Sequence, residues 1–251
     1  MWTREELKER AKIVLKRSYW KALLVSFILA LVSGGFSSIT QRFNQRDDGR
    51  VFIEKQIRGG NISWDWVGPA ILIAIIAGLG FFIISLAFSI FLANPLEVGA
   101  RRFFMSLTIE DAQVDLLGYG FKNGRYMNVI KTMFYTNLLI FLWSLLLVIP
   151  GIIKGYAYSM VPYILADNPE IDYKRAVALS NQMTMGEKAN IWVLDLSFIG
   201  WYLLGALACG VGILFVHPYV NATKAELYIT LRRRALQNRL IQDGELNNTS
   251  T

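Results

Sequence analysis

Four long blocks of the chain carry almost no charge: Trp20–Ile39, Val67–Ala93, Thr132–Ala166 and Ile191–Val220. An α-helix rises about 1.5 Å per residue, and the hydrocarbon core of a bilayer is about 30 Å thick, so one crossing takes about 20 residues. Trp20–Ile39 fits one crossing, with Lys21 at its edge. Val67–Ala93 fits another, long enough to tilt. The other two blocks are too long for single crossings. In the stretch "SLLLVIPGIIKGYAYSMVPYILADNP", Pro150 removes a backbone donor, Gly151 tolerates a tight turn, and Lys154 is tolerable only near a surface. This predicts a hairpin with spans 132–149 and 152–166. A kinked helix or a re-entrant loop is the rival reading. "CGVG" at Cys209–Gly212 marks a second turn, between spans 191–208 and 211–231. The pattern therefore predicts an all-α polytopic membrane helix bundle, with about six transmembrane helices (20–39, 67–93, 132–149, 152–166, 191–208, 211–231) in three hairpins. It forms one integral membrane domain over 1–251 with a polar tail at 235–251.

Between the apolar blocks the period changes to that of amphipathic helices. Residues 1–18 open with Thr3 and Glu6 in capping-box spacing. Leu7, Ala11, Val14, Leu15 and Ser18 share one face, and Arg4, Lys8, Lys12 and Lys16 lie on others. Such a basic amphipathic helix beside a span is expected on the inner leaflet. In "PEIDYKRAVALSNQMTMGEK", Asp172 is placed to cap, Tyr173, Ala176, Val177, Ser180 and Met183 share a face, and Gly186 is placed to end the helix. Pro95, Pro162 and Pro218 each end an apolar stretch, which suggests three copies of helix, span, turn, span. Identity between copies is poor beyond "PY", so coincidence stays open.

Charge orients this arrangement. The net charge is +7, and 20 of the 26 Lys and Arg residues fall on segments that lie inside if the N-terminus is inside. That bias predicts a multi-pass protein with both termini cytoplasmic. Basic residues crowded around apolar blocks point to anionic membrane lipid as partner, not to nucleic acid. A single cysteine, Cys209, rules out a disulfide within the chain. With one histidine, His217, no Cys/His metal cluster can be built, and no cofactor is expected. The basic N-terminal region runs on to Lys21, unlike a signal peptide.

Few residues carry candidate chemistry. Asp195 lies about one turn into the fifth span, where an ionisable group marks either function or pairing with Lys188, Lys131 or a helix end. Glu97 follows Asn94 and Pro95 and reads as helix-start capping before ion binding. His217 and Lys154 read as interfacial residues. Arg101, Arg102, Arg232, Arg233 and Arg234 are candidate contacts for anionic lipid. No nucleophile–base pair is visible, so no catalytic residue is assigned.

"TREELKERAKIVLKRSYWKALLVSFILALVSGG", "NPLEVGARRFF", "IPGIIKGYAYSMVPYILADNP" and "LDLSFIGWYLLGALACGVGILFVHPYVNATKAELY" resemble the bacterial integral-membrane family called domain of unknown function 975. The resemblance spans nearly the whole chain apart from Gln41–Asn61 and the residues after about Arg234. It implies a bacterial cell-membrane protein and no particular activity. A fainter likeness, in "AVALSNQMTMGEK", is to the membrane domain beside some glycerophosphodiester phosphodiesterases; it concerns the scaffold, because their catalytic domain is absent. The leading expectation is a non-enzymatic membrane protein that binds lipid, peptide or a partner. A small transporter or permease subunit is the alternative, and an intramembrane lipid-acting enzyme the third.

Overall fold

The computed structural model describes residues 2–32, 64–109, 112–122, 124–207, 212–242 and 244–246. Regular structure there is entirely helical. The elements are α1 (Arg4–Val32), α2 (Trp64–Phe88), a π-helical segment (Ser89–Ala93), α3 (Asn94–Leu107), a 3-10 segment (Val114–Phe121), α4 (Tyr126–Leu146), α5 (Val148–Ala157), α6 (Val161–Asp167), α7 (Tyr173–Met183), α8 (Lys188–Leu196), α9 (Ile199–Leu207) and α10 (Gly212–Gln237). Among the described residues, three stretches are long and apolar enough to cross a membrane: Ile71–Leu107, Tyr126–Leu146 and Lys188–Leu207.

α1 begins as its sequence predicts. The Glu6 amide donates to the Thr3 hydroxyl at 3.2 Å, and Leu7, Ala11, Leu15 and Ser18 are buried. Non-helical backbone angles at Ser18 separate this amphipathic limb from the apolar limb that follows. Of the first span, residues 33–39 lie outside the described residues, as do the Gln41–Asn61 loop and the "CGV" of the second turn.

The core forms around α10, which packs against α1, α3, α7 and α9. Its 26 residues make a rod of about 39 Å. It buries Val220, Ala222, Ala225, Leu227, Tyr228 and Leu231, and also Asn221, Thr223, Glu226 and Arg232. A helix enclosed by protein carries polar groups that protein partners satisfy, whereas a lipid-facing one does not. α2 is the opposite case. No residue in the most apolar window of its span is buried, and Ile73, Phe81 and Ile84 are more than 60% exposed. Only hydrocarbon or another apolar surface suits such a face.

Two turns differ from their predicted form. α4 stops one residue before an extended Leu147 (φ −158°, ψ 142°), and α5 starts at Val148. The chain reversal is therefore at Leu147, and Pro150 sits in the first turn of α5, where a missing N–H leaves no broken hydrogen bond. Gly151 is not a turn residue. A Cβ there would lie 2.3 Å from Ser144 Oγ and 2.7 Å from Ser144 Cα, so its absence allows α5 to press against α4. The return limb is broken at Tyr158–Met160, ahead of Pro162, into α5 and α6, with 10 and 7 residues. It is not one uninterrupted span. Residues Lys188–Leu207 likewise turn at Ser197 and Phe198.

Asn94–Pro95–Leu96–Glu97 does not start a free helix. α2 runs through the π segment into α3, with the Asn94 amide bonded to the Ser89 carbonyl five residues back. Pro95 can give no N–H to the Phe91 carbonyl four residues back, and the Tyr126 hydroxyl donates to that oxygen at 2.9 Å. The chain after α10 is also more structured than a polar tail. Ile241 and Leu246 are buried, the Asn168 side-chain amide donates to the Glu245 carbonyl at 2.8 Å, and Arg175 grips the Glu245 carboxylate with two nitrogens. α7 is capped as expected, its Asp172 carboxylate accepting from the amides of Lys174 and Arg175.

Candidate functional site

The basic residues grouped by sequence divide into three roles. Arg101 points into the bundle, donating to Glu97 at 2.7 Å and to the Asn221 side chain at 2.9 Å, with its guanidinium 5.1 Å from the Tyr163 ring centre. Its guanidinium is thus held by protein partners. Arg232 is buried against Asp167 at 3.0 Å. Arg234 pairs with Glu187, which the sequence did not foresee. Arg102 donates to the Ala166 carbonyl at 3.2 Å and reaches 3.8 Å from Asp167.

Asp167 is thus the pivot of a buried network, and sequence reasoning overlooked it. Its side chain is fully buried at the end of α6, and the Tyr228 hydroxyl donates to it at 3.1 Å. The "ADNP" stretch gave one usable signal, a carboxylate directly after an apolar run. Its partners lie about 65 residues away on either side, beyond the reach of local pattern.

Beside this network lies a cavity of about 410 Å3 lined by Arg10, Arg102, Arg232 and Arg233. Met105, Ile109, Ile229 and Leu236 supply apolar wall, and Glu226 is its one acidic residue among the described residues. Arg10 arrives on α1, Arg102 on α3, and Arg232 and Arg233 on α10. Arg10 is also paired with Glu6. Arg233 and Arg234 are exposed, and Arg102 and Arg232 are held by Asp167. The arrangement offers paired and exposed guanidinium groups to an anion, beside an apolar surface that suits an acyl chain.

Two of the remaining candidates, Asp195 and Glu97, come together. Asp195 pairs with Lys224 at 3.1 Å, on α10, and not with Lys188 or Lys131. Lys188 donates to Asn181, and Lys131 lies 4.2 Å over the Tyr173 ring. Glu97 pairs with Arg101. Both pairs line a second cavity of about 250 Å3 beside the Pro162 break. Lys154 and His217 are elsewhere: Lys154 lies over the Trp143 and Tyr158 rings at 5.1 and 5.6 Å, and His217 meets the Tyr202 ring edge-on at 5.9 Å. No three His, Cys, Asp or Glu side chains cluster as a metal set among the described residues.

The family described as "Protein of unknown function (DUF975)" matches residues 5–235. The chain belongs to that family. The DUF975 match includes every lining residue of the second cavity and all of the first but Leu236. No curated protein and no solved structure matches the chain.

Proposed function

We propose that this DUF975 chain is an integral protein of the cell membrane with both termini cytoplasmic, binding the anionic headgroup of a phospholipid in the Arg10–Arg102–Arg232–Arg233 cavity and catalysing no reaction. The observation that carries this reading is the cavity itself, where four arginines from three helices meet beside an apolar wall. Arg10, Arg102, Asp167 and Arg232 come from four segments that the charge bias assigns to the same side, and they lie close together. A basic residue near an anionic surface contributes about 1 kcal/mol. The six-span, three-hairpin topology is part of the proposal. One of its outer turns falls at Leu147, and the broken α5–α6 limb serves as the fourth crossing.

Thermal unfolding in lipid nanodiscs tests the lipid reading. Phosphatidylglycerol should raise the midpoint above that in phosphatidylcholine, and the gain should shrink from about 0.1 to about 1 M salt, as the screening length falls from about 10 to about 3 Å. Equal midpoints in the two lipids would contradict it. Orientation is tested by a single cysteine at Asn247 after replacement of Cys209: an impermeant thiol reagent added outside intact cells should not label it. A second reading, a small transporter or permease subunit, draws on the charged cavity beside the broken limb at Pro162.

A further inference from the structure

The second cavity has a composition that lipid anchoring does not require. Its wall contains one glutamate, one aspartate, one arginine and one lysine, so its formal charge is balanced. The pairs come from different parts of the chain: Glu97 and Arg101 are one turn apart on α3, while Asp195 on α8 meets Lys224 on α10. All four side chains keep part of their surface open, from 15% at Arg101 to 33% at Lys224. Asn137, Tyr156 and Ser159 add neutral polar groups, and Met133, Ile140, Ile191 and Leu227 add apolar wall.

Two ion pairs inside a helix bundle are a poor way to stabilise it. Desolvating the charges offsets most of their attraction, and apolar replacements of similar volume hold comparable sites as well or better. Charges of both signs around one small space, however, suit a ligand that itself carries both. A ligand anion can take the place of a carboxylate opposite Arg101 or Lys224. A ligand ammonium can take the place of a cation opposite Glu97 or Asp195. Made together by one zwitterion, the two exchanges leave no uncompensated charge in the interior.

We infer that the Glu97–Arg101–Asp195–Lys224 cavity binds a small zwitterion, an anionic group and an ammonium a few ångströms apart, with a modest apolar portion. At about 30 Å3 per water, 250 Å3 accommodates roughly eight non-hydrogen atoms. That is the size of a free amino acid or of an ethanolamine-phosphate headgroup. The site differs from the arginine cavity in place and in charge, and shares none of its lining residues.

The test uses the full chain in nanodiscs of phosphatidylglycerol and phosphatidylcholine. Equilibrium binding is measured for leucine and for glycerophosphoethanolamine, the two sources of this chemistry. Their single-charge counterparts are 4-methylpentanoate and isopentylamine for leucine, and glycerol 3-phosphate for the headgroup. Saturable binding of either zwitterion, at least tenfold tighter than its counterparts, is the expected result, and the preferred one identifies the source. Lys224→Met and Asp195→Asn should each weaken that binding tenfold or more, with thermal unfolding confirming that the variant is folded. No saturable binding of either zwitterion overturns the inference, as does equal binding of the counterparts. Both of these outcomes are read on the unmodified chain and do not depend on a variant folding.

Discussion

Replacing Gly151 by alanine tests the α4–α5 hairpin at its tightest point. The new Cβ would lie 2.3 Å from Ser144 Oγ, 2.7 Å from its Cα and 2.9 Å from its Cβ. Ordinary carbon contacts are about 3.5 to 4.0 Å, so the helices must separate by about 1 Å. The serine cannot simply swing aside, because its hydroxyl donates to the Ile140 carbonyl at 2.8 Å and its Cα belongs to the backbone. Overpacking of this kind costs about 1–3 kcal/mol, or roughly 5- to 150-fold in the folding equilibrium. Gly155, one turn later on α5, is the control. A Cβ there meets nothing within 4 Å, so Gly155→Ala should be neutral or stabilise by up to about 1 kcal/mol through helix propensity. Ser144→Gly should rescue Gly151→Ala only in part, because the contact with the residue 144 Cα remains. Reversible unfolding in mixed micelles, followed by intrinsic fluorescence, reads all four variants. Gly151→Ala as stable as the unmodified chain would refute the close hairpin, whatever Gly155→Ala does.

Three other outcomes follow from the same contacts. Tyr126→Phe should cost about 1 kcal/mol by removing the donor to the Phe91 carbonyl, and the loss should shrink in a Pro95→Ala background; equal losses in both, measured by unfolding, would disconnect Tyr126 from the proline. Asp167→Asn should destabilise by about 3–5 kcal/mol, because it leaves Arg232 buried beside a neutral group; a thermal midpoint unchanged from the unmodified chain would remove Asp167 from the core account. The hydrogen bonds from Arg175 hold the Glu245 carboxyl below its usual range of about 4.3. Its contribution to stability is therefore present above the ordinary glutamate range and lost as pH falls through the depressed value. Hydrogen-exchange protection at residues 240–242 and 244–246, taken relative to the intrinsic amide rate at each pH, should fall on that acidification and lose its pH dependence in Glu245→Gln; a flat protection profile in the unmodified chain would contradict the pairing.

Local chemistry was legible where the partners were close in sequence. The Thr3 cap, the Asp172 cap and the buried stripe of α1 follow from spacing, because each depends on residues within a few positions. The apolar blocks around α2, α4 and α8–α9 were legible for the same reason: a lipid-facing helix is defined by its own composition. α10 was harder to read, since its polar residues answer to α1, α3 and α6. The arginine runs misled in part for a related reason. Arg101 and Arg102 are adjacent in sequence, yet helical geometry sends one to Glu97 and Asn221 and the other towards Asp167. Asp195 was read as either functional or paired with Lys188, Lys131 or a helix end, and its partner Lys224 could be chosen only once α8 and α10 were side by side. Gly151 was read for turning when its role is contact, because a sequence does not show what the missing Cβ would touch.

The central claim, an anionic lipid seated among Arg10, Arg102, Arg232 and Arg233, is tested most directly by lipid occupancy. Native mass spectrometry of the full chain, released from nanodiscs of equal phosphatidylglycerol and phosphatidylcholine, counts the lipids that stay bound. Arg10→Gln with Arg233→Gln removes two of the four guanidinium groups and leaves the Asp167–Arg232 pair intact. The account predicts retained phosphatidylglycerol on the unmodified chain and its loss in the double variant, with phosphatidylcholine retention unchanged. Retention of both lipids in proportion to their supply, or equal phosphatidylglycerol retention by the double variant, would contradict it.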